Sequence, residues 1–510
     1  MKKQASPFFP ERLTNLAFFA IMGCTLLLCL FSWRISYALK LEGQWPDWLC
    51  LGLGTAFAAL LSFLFSRKSW GRGEPRRWIL LGTVIGWCLS VFVFNQAGLH
   101  HPYDSESLYE GARELVETGE SASLTAYLSQ DPNNLLLAWL YTLLWRLALL
   151  LGLGSAYILL LPIQCGIVAV SLYLVYRGAE MTVGREKPAV PVILWCIGAL
   201  FLFFNPKVTE NYSDPPAMLV VTLCAFLYLK VRQGGSRRPL YLGFLGFFSM
   251  AGYFLKPLCS FVLIAAFLVS FLPAVIRSRK KWRKALLCAL ALLCGLVLAF
   301  GCVQWADGSL GLTLDHEREL SAVHYLMMGL NSQGGGIFWY NDLVMSVAYP
   351  TYAERQAANW AVTRERVSTA GFKGMAVLML RKLLTNLNDG TFDWHSNVSL
   401  GEDMTWADEM PLRISGLDTA LRDFFAGSGF PVLHGLMQSL WLAILLLGAA
   451  GSLRRREDGL CVLRLAVLGL ILFVELFEAS PRFLYAFAPV LLLLAGGGLA
   501  LLPFPERRKA

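Results

Sequence analysis

The feature that most constrains this chain is a recurrence of apolar runs, each of about 17 to 25 residues, the length an α-helix needs to span roughly 30 Å of hydrocarbon. A bilayer core offers no water to bond exposed backbone groups, so such runs fold as helices. Composition points the same way. Hydrophobic residues make up 56% of the 510 positions and charged residues only 15%, whereas a soluble domain carries roughly 25% charged residues. The expected fold class is all-α, a polytopic transmembrane helical bundle of about twelve spans.

Those spans are expected near residues 16–33, 48–66, 78–97, 156–176, 189–205, 216–232, 240–255, 258–276, 285–304, 432–451, 460–478 and 484–502. The first run is followed by no Ala-x-Ala-like cleavage signal and reads as a retained span. With both termini cytoplasmic, the clusters Arg67-Lys68, Arg76-Arg77, Arg237-Arg238, Arg279-Lys280-Lys281, Arg454-Arg455-Arg456 and Arg507-Arg508-Lys509 all fall on one side, as the positive-inside rule asks. A further apolar run, Leu135 to Leu153, would invert every later loop if it crossed. Arg146 in its middle and the polar lead-in Asp131-Pro132-Asn133-Asn134 favour an interfacial or re-entrant helix, because a central arginine costs ~2.5–3.5 kcal/mol on insertion scales. Residues 98–134, Asn205 to Pro216, about Trp305 to Phe430 and the turn Ser480-Pro481-Arg482 are then extracytoplasmic.

Several function classes are disfavoured. The net charge of +9 is distributed in short clusters between spans, so nucleic acid is not implied. The twelve cysteines, from Cys24 to Cys461, lie in or beside apolar segments with no CxxC pair, which reads as packing and not as a disulfide framework or a zinc site. Five of the six histidines are in outer loops without His-Glu-x-x-His spacing, and Gly334-Gly335-Gly336 is followed by no Gly-Lys-Ser/Thr. No cofactor is required; a metal ion is not excluded.

Candidate chemistry gathers on the outer side. In Tyr103-Asp104-Ser105-Glu106, the residues Leu108, Ala112, Leu115 and Val116 that follow recur at helical spacing, so a short helix is expected to rest one face on the bilayer surface. Asp104 or Ser105 would cap it. A carboxylate there can act as a base on a polar acceptor, although a plain N-cap explains the same spacing; Glu106 could serve as base or support. Asp214, before Pro215-Pro216, is either a second site carboxylate or a helix cap. Lys256 beside Pro257, Arg482 and Lys207 are cations suited to a phosphate leaving group, with snorkelling as the ordinary alternative. Glu475, inside an apolar run, points to function or to an ion pair with Arg482. In the long loop, Asn331, Trp339-Tyr340-Asn341-Asp342 and Asn388 to His395 mix aromatic with amide and acidic groups, as sugar sites and membrane interfaces both do.

The order of these features, Tyr103-Asp104-Ser105-Glu106 on a surface helix, a juxtamembrane helix after Pro132-Asn133-Asn134, Tyr212-Ser213-Asp214-Pro215, Lys256-Pro257, and Glu478 before Arg482-Phe483, resembles the GT-C fold glycosyltransferases. The likeness is to the protein O-mannosyltransferases and lipid A aminoarabinose transferases, over roughly residues 78 to 500. Two further spans precede the catalytic loop beyond the family's usual one, and Arg482-Phe483 stands where the family commonly has Arg-Tyr. The resemblance implies regions 1–77 (two N-terminal spans), 78–304 (a GT-C-like core with its first catalytic loop at 98–155), 305–430 (extracytoplasmic) and 431–510 (C-terminal spans). It also implies a sugar transferase that uses a polyprenyl-phosphate donor, with a glycan, lipid or protein as acceptor. Asp104 is the matching base, with Asp214 and Glu106 beside it; Lys256, Arg482 and Lys207 would hold the donor phosphate; Glu478, Tyr103 and His324 would support the site. Compact loops suit a bacterial plasma membrane. A transporter or flippase of lipid-linked saccharides and a non-catalytic scaffold are the rival expectations; a transporter would need ionisable groups deep in several spans, and apart from Glu475 and Arg464 the sequence shows almost none.

Overall fold

A computed structural model describes residues 9–41, 43–66, 74–99, 101–271, 282–397, 412–454 and 459–502. The basic clusters Arg67-Lys68, Arg279-Lys280-Lys281 and Arg507-Arg508-Lys509, together with Arg455, Arg456 and His100, lie outside the described residues.

The apolar runs form α1 (Phe9–Leu30), α2 (Asp47–Ser66), α3 (Glu74–Ala97), α7 (Tyr157–Met181), α8 (Val190–Phe203), α9 (Asp214–Gln233), α10 (Arg238–Leu255), α11 (Phe261–Ala266), α12 (Trp282–Ser309), α17 (Phe430–Ser452), α18 (Cys461–Leu476) and α20 (Ala488–Leu499). Between them lie α4 (Asp104–Thr118), α5 (Ala122–Gln130), α6 (Leu135–Leu150), α13 (Ala322–Gly329), α14 (Tyr340–Val347), α15 (Tyr352–Leu387), α16 (Leu417–Ala426) and α19 (Arg482–Tyr485). Among the described residues there is no strand. Among the described residues eight helices are long and apolar enough to cross a membrane: seven coincide with expected spans and the eighth is Pro132–Leu150. Val190–Phe203, Pro257–Phe271 and Ala488–Leu499 are shorter apolar helices.

Burial sorts the helices into layers. Nearly every side chain of α20 is buried, and most of α17 is, whereas α3 and α12 leave Leu80, Leu81, Val84, Leu290, Leu293 and Val297 exposed on their outer faces. An exposed leucine stripe on a long apolar helix is a lipid-facing surface. Helices α10 and α12 run parallel, since Gly243 meets Ala291 and Gly295 while Phe254 meets Phe300 further along both. A Cβ on Gly295 would lie 2.0 Å from the Gly243 carbonyl oxygen, so the two backbones touch directly, the small-residue packing used where no hydrophobic force drives helices together.

Two expectations for the first loop change. The apolar face of α4 packs on protein: Leu108, Ala112 and Leu115 are buried, and the Tyr109 ring packs edge-on against Tyr141 and tilted against Trp145, both of α6. Asp104 does not cap α4 either; it is the helix's first residue, behind Tyr103, and no side-chain cap is formed. Helix α6 stays with the same end of the bundle along its length. Trp139 Nε1 donates to Ser309 Oγ at the end of α12 (2.9 Å), Trp145 Nε1 donates to the Tyr109 carbonyl (3.1 Å), and Tyr109 Oη bonds Ser155 Oγ just beyond α6 (3.0 Å).

Candidate functional site

Three chain connections meet at one end of the bundle, and each supplies charge. The first is the entry to α4. Tyr103, just ahead of Asp104, holds a positive φ (φ 69°, ψ −130°); a non-glycine residue there is strained and persists only when its surroundings fix it. The phenols of Tyr127, on α5, and Tyr212, ahead of α9, face the Asp104 carboxylate. Asn134 Nδ2 donates to both phenol oxygens, at 2.9 Å and 3.1 Å, and so locks the pair. Burial raises the Asp104 pKa above the usual carboxylate range, with Arg482 and the Tyr127 phenol acting against that and the charge of Glu210 adding to it.

The second connection, Asn205 to Ser213, carries one cation, Lys207, and meets another, Lys256, and both are already matched. Lys207 Nζ pairs with Glu210 Oε2 at 2.6 Å, both buried. The Lys256 ammonium, just past α10, binds the Asp214 carboxylate at the start of α9, also buried. Asp214 therefore serves as an ion-pair partner and not as a helix cap, since α9 starts without a side-chain cap bond. Asn211, within the sequon Asn211-Tyr212-Ser213, is fully buried beside Gln164 and so presents no accessible glycan acceptor. The sequon at Asn397 extends outside the described residues.

The third connection is the turn before α19. The Arg482 guanidinium lies 5.4 Å from the Tyr212 ring centre and 5.3 Å from that of Phe483. Lys256 Nζ lies 5.9 Å and 4.7 Å from the same rings. Tyr212 is thus the hub: its face takes two cations, and its hydroxyl edge meets Asn134 and Asp104. The charges acting on Glu478 are those of Arg482, Asp104, Lys256 and Lys382. Arg482 Nε is buried and has no hydrogen-bond partner among the described residues.

The fold also brings in groups that the sequence did not assign to this site. Tyr325 Oη donates to Asp131 Oδ1 (2.7 Å), tying α13 to the end of α5. Burial pushes Asp131 up to about 6, against the Tyr325 hydrogen bond, and the nearby Asp104 charge adds to the rise. Lys382 Nζ donates to the carbonyls of Gly329, Glu475 and Phe477 at 2.8, 2.6 and 2.7 Å, pinning the chain just ahead of Glu478. Phe392 and Asp393 sit consecutively in the left-handed region (φ 57° and 62°), held by Asp389, which accepts the Thr391 and Asp393 backbone N–H groups. Burial lifts Asp393 to about 6, and Lys207 opposes the rise.

Of the residues expected at the site, Asp104, Asp214, Lys256, Arg482, Lys207 and Glu478 converge. Glu106, Tyr103 and His324 do not. Glu106 is exposed because two residues along an α-helix is about half a turn round, so it points away from Asp104. Tyr103 turns its ring to the outside. His324 is buried on α13, Nδ1 2.7 Å from Ser346 Oγ, and burial pushes it down to about 4. Glu475 is bonded by Asn386 Nδ2 (3.3 Å) and lies by Lys382; Glu478 is the acid that faces Arg482. Arg464 is buried against Asn15 and the Gly451 carbonyl. Lys382 carried a weak signal, the Arg381-Lys382 pair set within the apolar stretch Leu378 to Leu384. Tyr127 carried none, since a tyrosine on a short amphipathic helix reads as packing.

None of the twelve cysteines is in a disulfide, and among the described residues no group of three His, Cys, Asp or Glu side chains could hold a metal ion. A family model described as conserved hypothetical integral membrane protein matches residues 50–499. The chain belongs to that family. No curated protein matches it. For a member of this family the chemistry available is specific: a carboxylate that burial makes more basic stands beside a guanidinium and a paired ammonium. Such a group can take a proton from a polar acceptor while the cations stabilise an anion leaving beside it.

Proposed function

We propose that this chain is a glycosyltransferase of a bacterial plasma membrane, with about twelve spans and both termini cytoplasmic, that moves a sugar from a polyprenyl-phosphate donor to an extracytoplasmic acceptor. The observation that carries the reading is Asp104 between two phenols, facing Arg482 across the ring of Tyr212. In this reading Asp104 takes the proton of the acceptor hydroxyl or amine as that atom bonds the anomeric carbon. The sugar–phosphate bond breaks with its electron pair on the phosphate oxygen, which Arg482 and Lys256 receive. Asp214 and Glu210 keep the buried cations compensated until the phosphate arrives, which avoids leaving isolated charge in a dry site. The contacts of Trp139 and Trp145 of α6 with elements at the Asp104 end support an interfacial helix there, under which a lipid donor could approach from the side.

Two measurements test this. Mass spectrometry of lipid that copurifies with the protein is expected to find a polyprenyl phosphate. Incubation with a panel of radiolabelled polyprenyl-phosphate hexoses and pentoses, with host membranes as acceptor source, is expected to show label transfer that falls about 10²- to 10⁴-fold in Asp104→Asn. Absence of any such lipid together with no transfer from any donor would overturn the reading; full activity in Asp104→Asn would remove that residue from the mechanism.

A further inference from the structure

Helix α14 is built inside out. Its outward positions Tyr340, Val344 and Val347, at i, i+4 and i+7, are 67%, 45% and 44% exposed, while Asp342 and Ser346 on the opposite face are 4% and 0% exposed. A surface helix in water shows the reverse arrangement, apolar side in and polar side out.

The buried polar face is fully matched. Asp342 receives Arg366 NH2 and NH1 on its two carboxylate oxygens at 2.6 and 2.9 Å, and Asn331 Nδ2 donates to it at 3.1 Å. Ser346 Oγ bonds His324 Nδ1 (2.7 Å) and donates to Asn359 Oδ1 (2.9 Å). Charges paired inside and hydrocarbon presented outside is the solution a helix adopts when its solvent is lipid.

Position agrees with polarity. The chain leading into α14 rests on the ends of the spans: a Cβ on Gly335 would lie 3.0 Å from that of Ala38, between α1 and α2, and Ala479, just past α18, donates its backbone N–H to the Gly336 carbonyl at 2.7 Å. Phe338 and Trp339 then emerge exposed, as do Trp33 and Trp48 beside the ends of α1 and α2. Exposed aromatics at span ends form the belt that seats a protein at the headgroup level.

We infer that α14 lies in the bilayer interface, with Phe338, Tyr340, Val344 and Val347 among the acyl chains about 5–10 Å below the headgroups, so that part of the segment expected to be a polar outer loop is a monotopic membrane anchor. Trp339-Tyr340-Asn341-Asp342 is accordingly a lipid-facing motif, its one acid turned inward to Arg366. The inference does not depend on the reaction at Asp104.

The test is photocrosslinking of the full chain in phosphatidylcholine nanodiscs. Benzoylphenylalanine replaces Tyr340 or Val344 in separate variants, the first nearly preserving the native ring, and replaces the exposed Glu365 of α15 as a control. Intact-mass analysis after irradiation is expected to find phosphatidylcholine adducts at 340 and 344 about tenfold above the 365 control, as burial in the interface requires. Adducts equal to the control at both positions would overturn the inference, and so would crosslinks to a second copy or another protein in place of lipid.

Discussion

Lys256 and Asp214 form a buried ion pair in which the residue just past α10 meets the first residue of α9, the helix that precedes it in the chain. The pair closes an antiparallel hairpin at the end where Asp104 stands. Its charges are interdependent, because each loses its direct ion-pair partner in a dry environment if the other is removed. Lys256→Met and Asp214→Asn, made singly, are expected each to destabilise the protein by about 3–5 kcal/mol, and the double variant by much less than their sum. Thermal unfolding in detergent checks this; additive losses would show that the two side chains do not act as a unit.

Tyr212 tunes Asp104 by facing its ionised form. Removing that hydroxyl in Tyr212→Phe takes away an interaction that lowers the Asp104 pKa, so the pKa moves further up. The base form is present above that pKa and is lost as pH falls through it. The acid limb of the transfer rate is expected above pH ~4, where an ordinary aspartate would place it, and to move to still higher pH in Tyr212→Phe. The measurement is the pH profile of kcat/KM for both proteins; an unmoved limb would separate the phenol from the base.

Asp131 and Asp393 are both lifted to about 6 by burial. A carboxyl raised in the folded state favours folding while it is neutral, below its unfolded value, and that contribution is lost as pH rises through the folded value. Asp131→Asn and Asp393→Asn are therefore expected to raise thermal stability at pH 8 and to change it little at pH 4, an example of a charged site held at a cost in stability. Equal shifts at both pH values would contradict the assignment.

Glu106 has no part in this arrangement. Glu106→Gln is expected to leave transfer within about twofold and stability within about 0.5 kcal/mol, as for an ordinary surface change. The comparison of interest is with Asp104→Asn, which sits two residues away on the other face of the same helix.

At the α10–α12 contact, Gly295→Ala places a methyl group against the Gly243 backbone. The helices must separate, at a cost of about 1–3 kcal/mol, read from the unfolding midpoint with the copurifying lipid unchanged.

The α-helical membrane class and the helical runs were legible in residue order, because a 20-residue apolar stretch has one way to satisfy its backbone in lipid. So was the grouping of Asp104, Asp214, Lys256 and Arg482 towards one end, since each lies at the boundary of an apolar run and charge does not enter hydrocarbon unpaired. The partners were not legible. That Asp214 takes Lys256, that Glu478 and not Glu475 faces Arg482, that Tyr127 and Tyr325 reach carboxylates from separate helices, and that α14 turns its polar side inward all depend on how helices far apart in sequence rotate and pack against one another. A one-residue change in angular position moves a side chain by about 100°, and local periodicity cannot supply that rotation. Tertiary packing alone decided it.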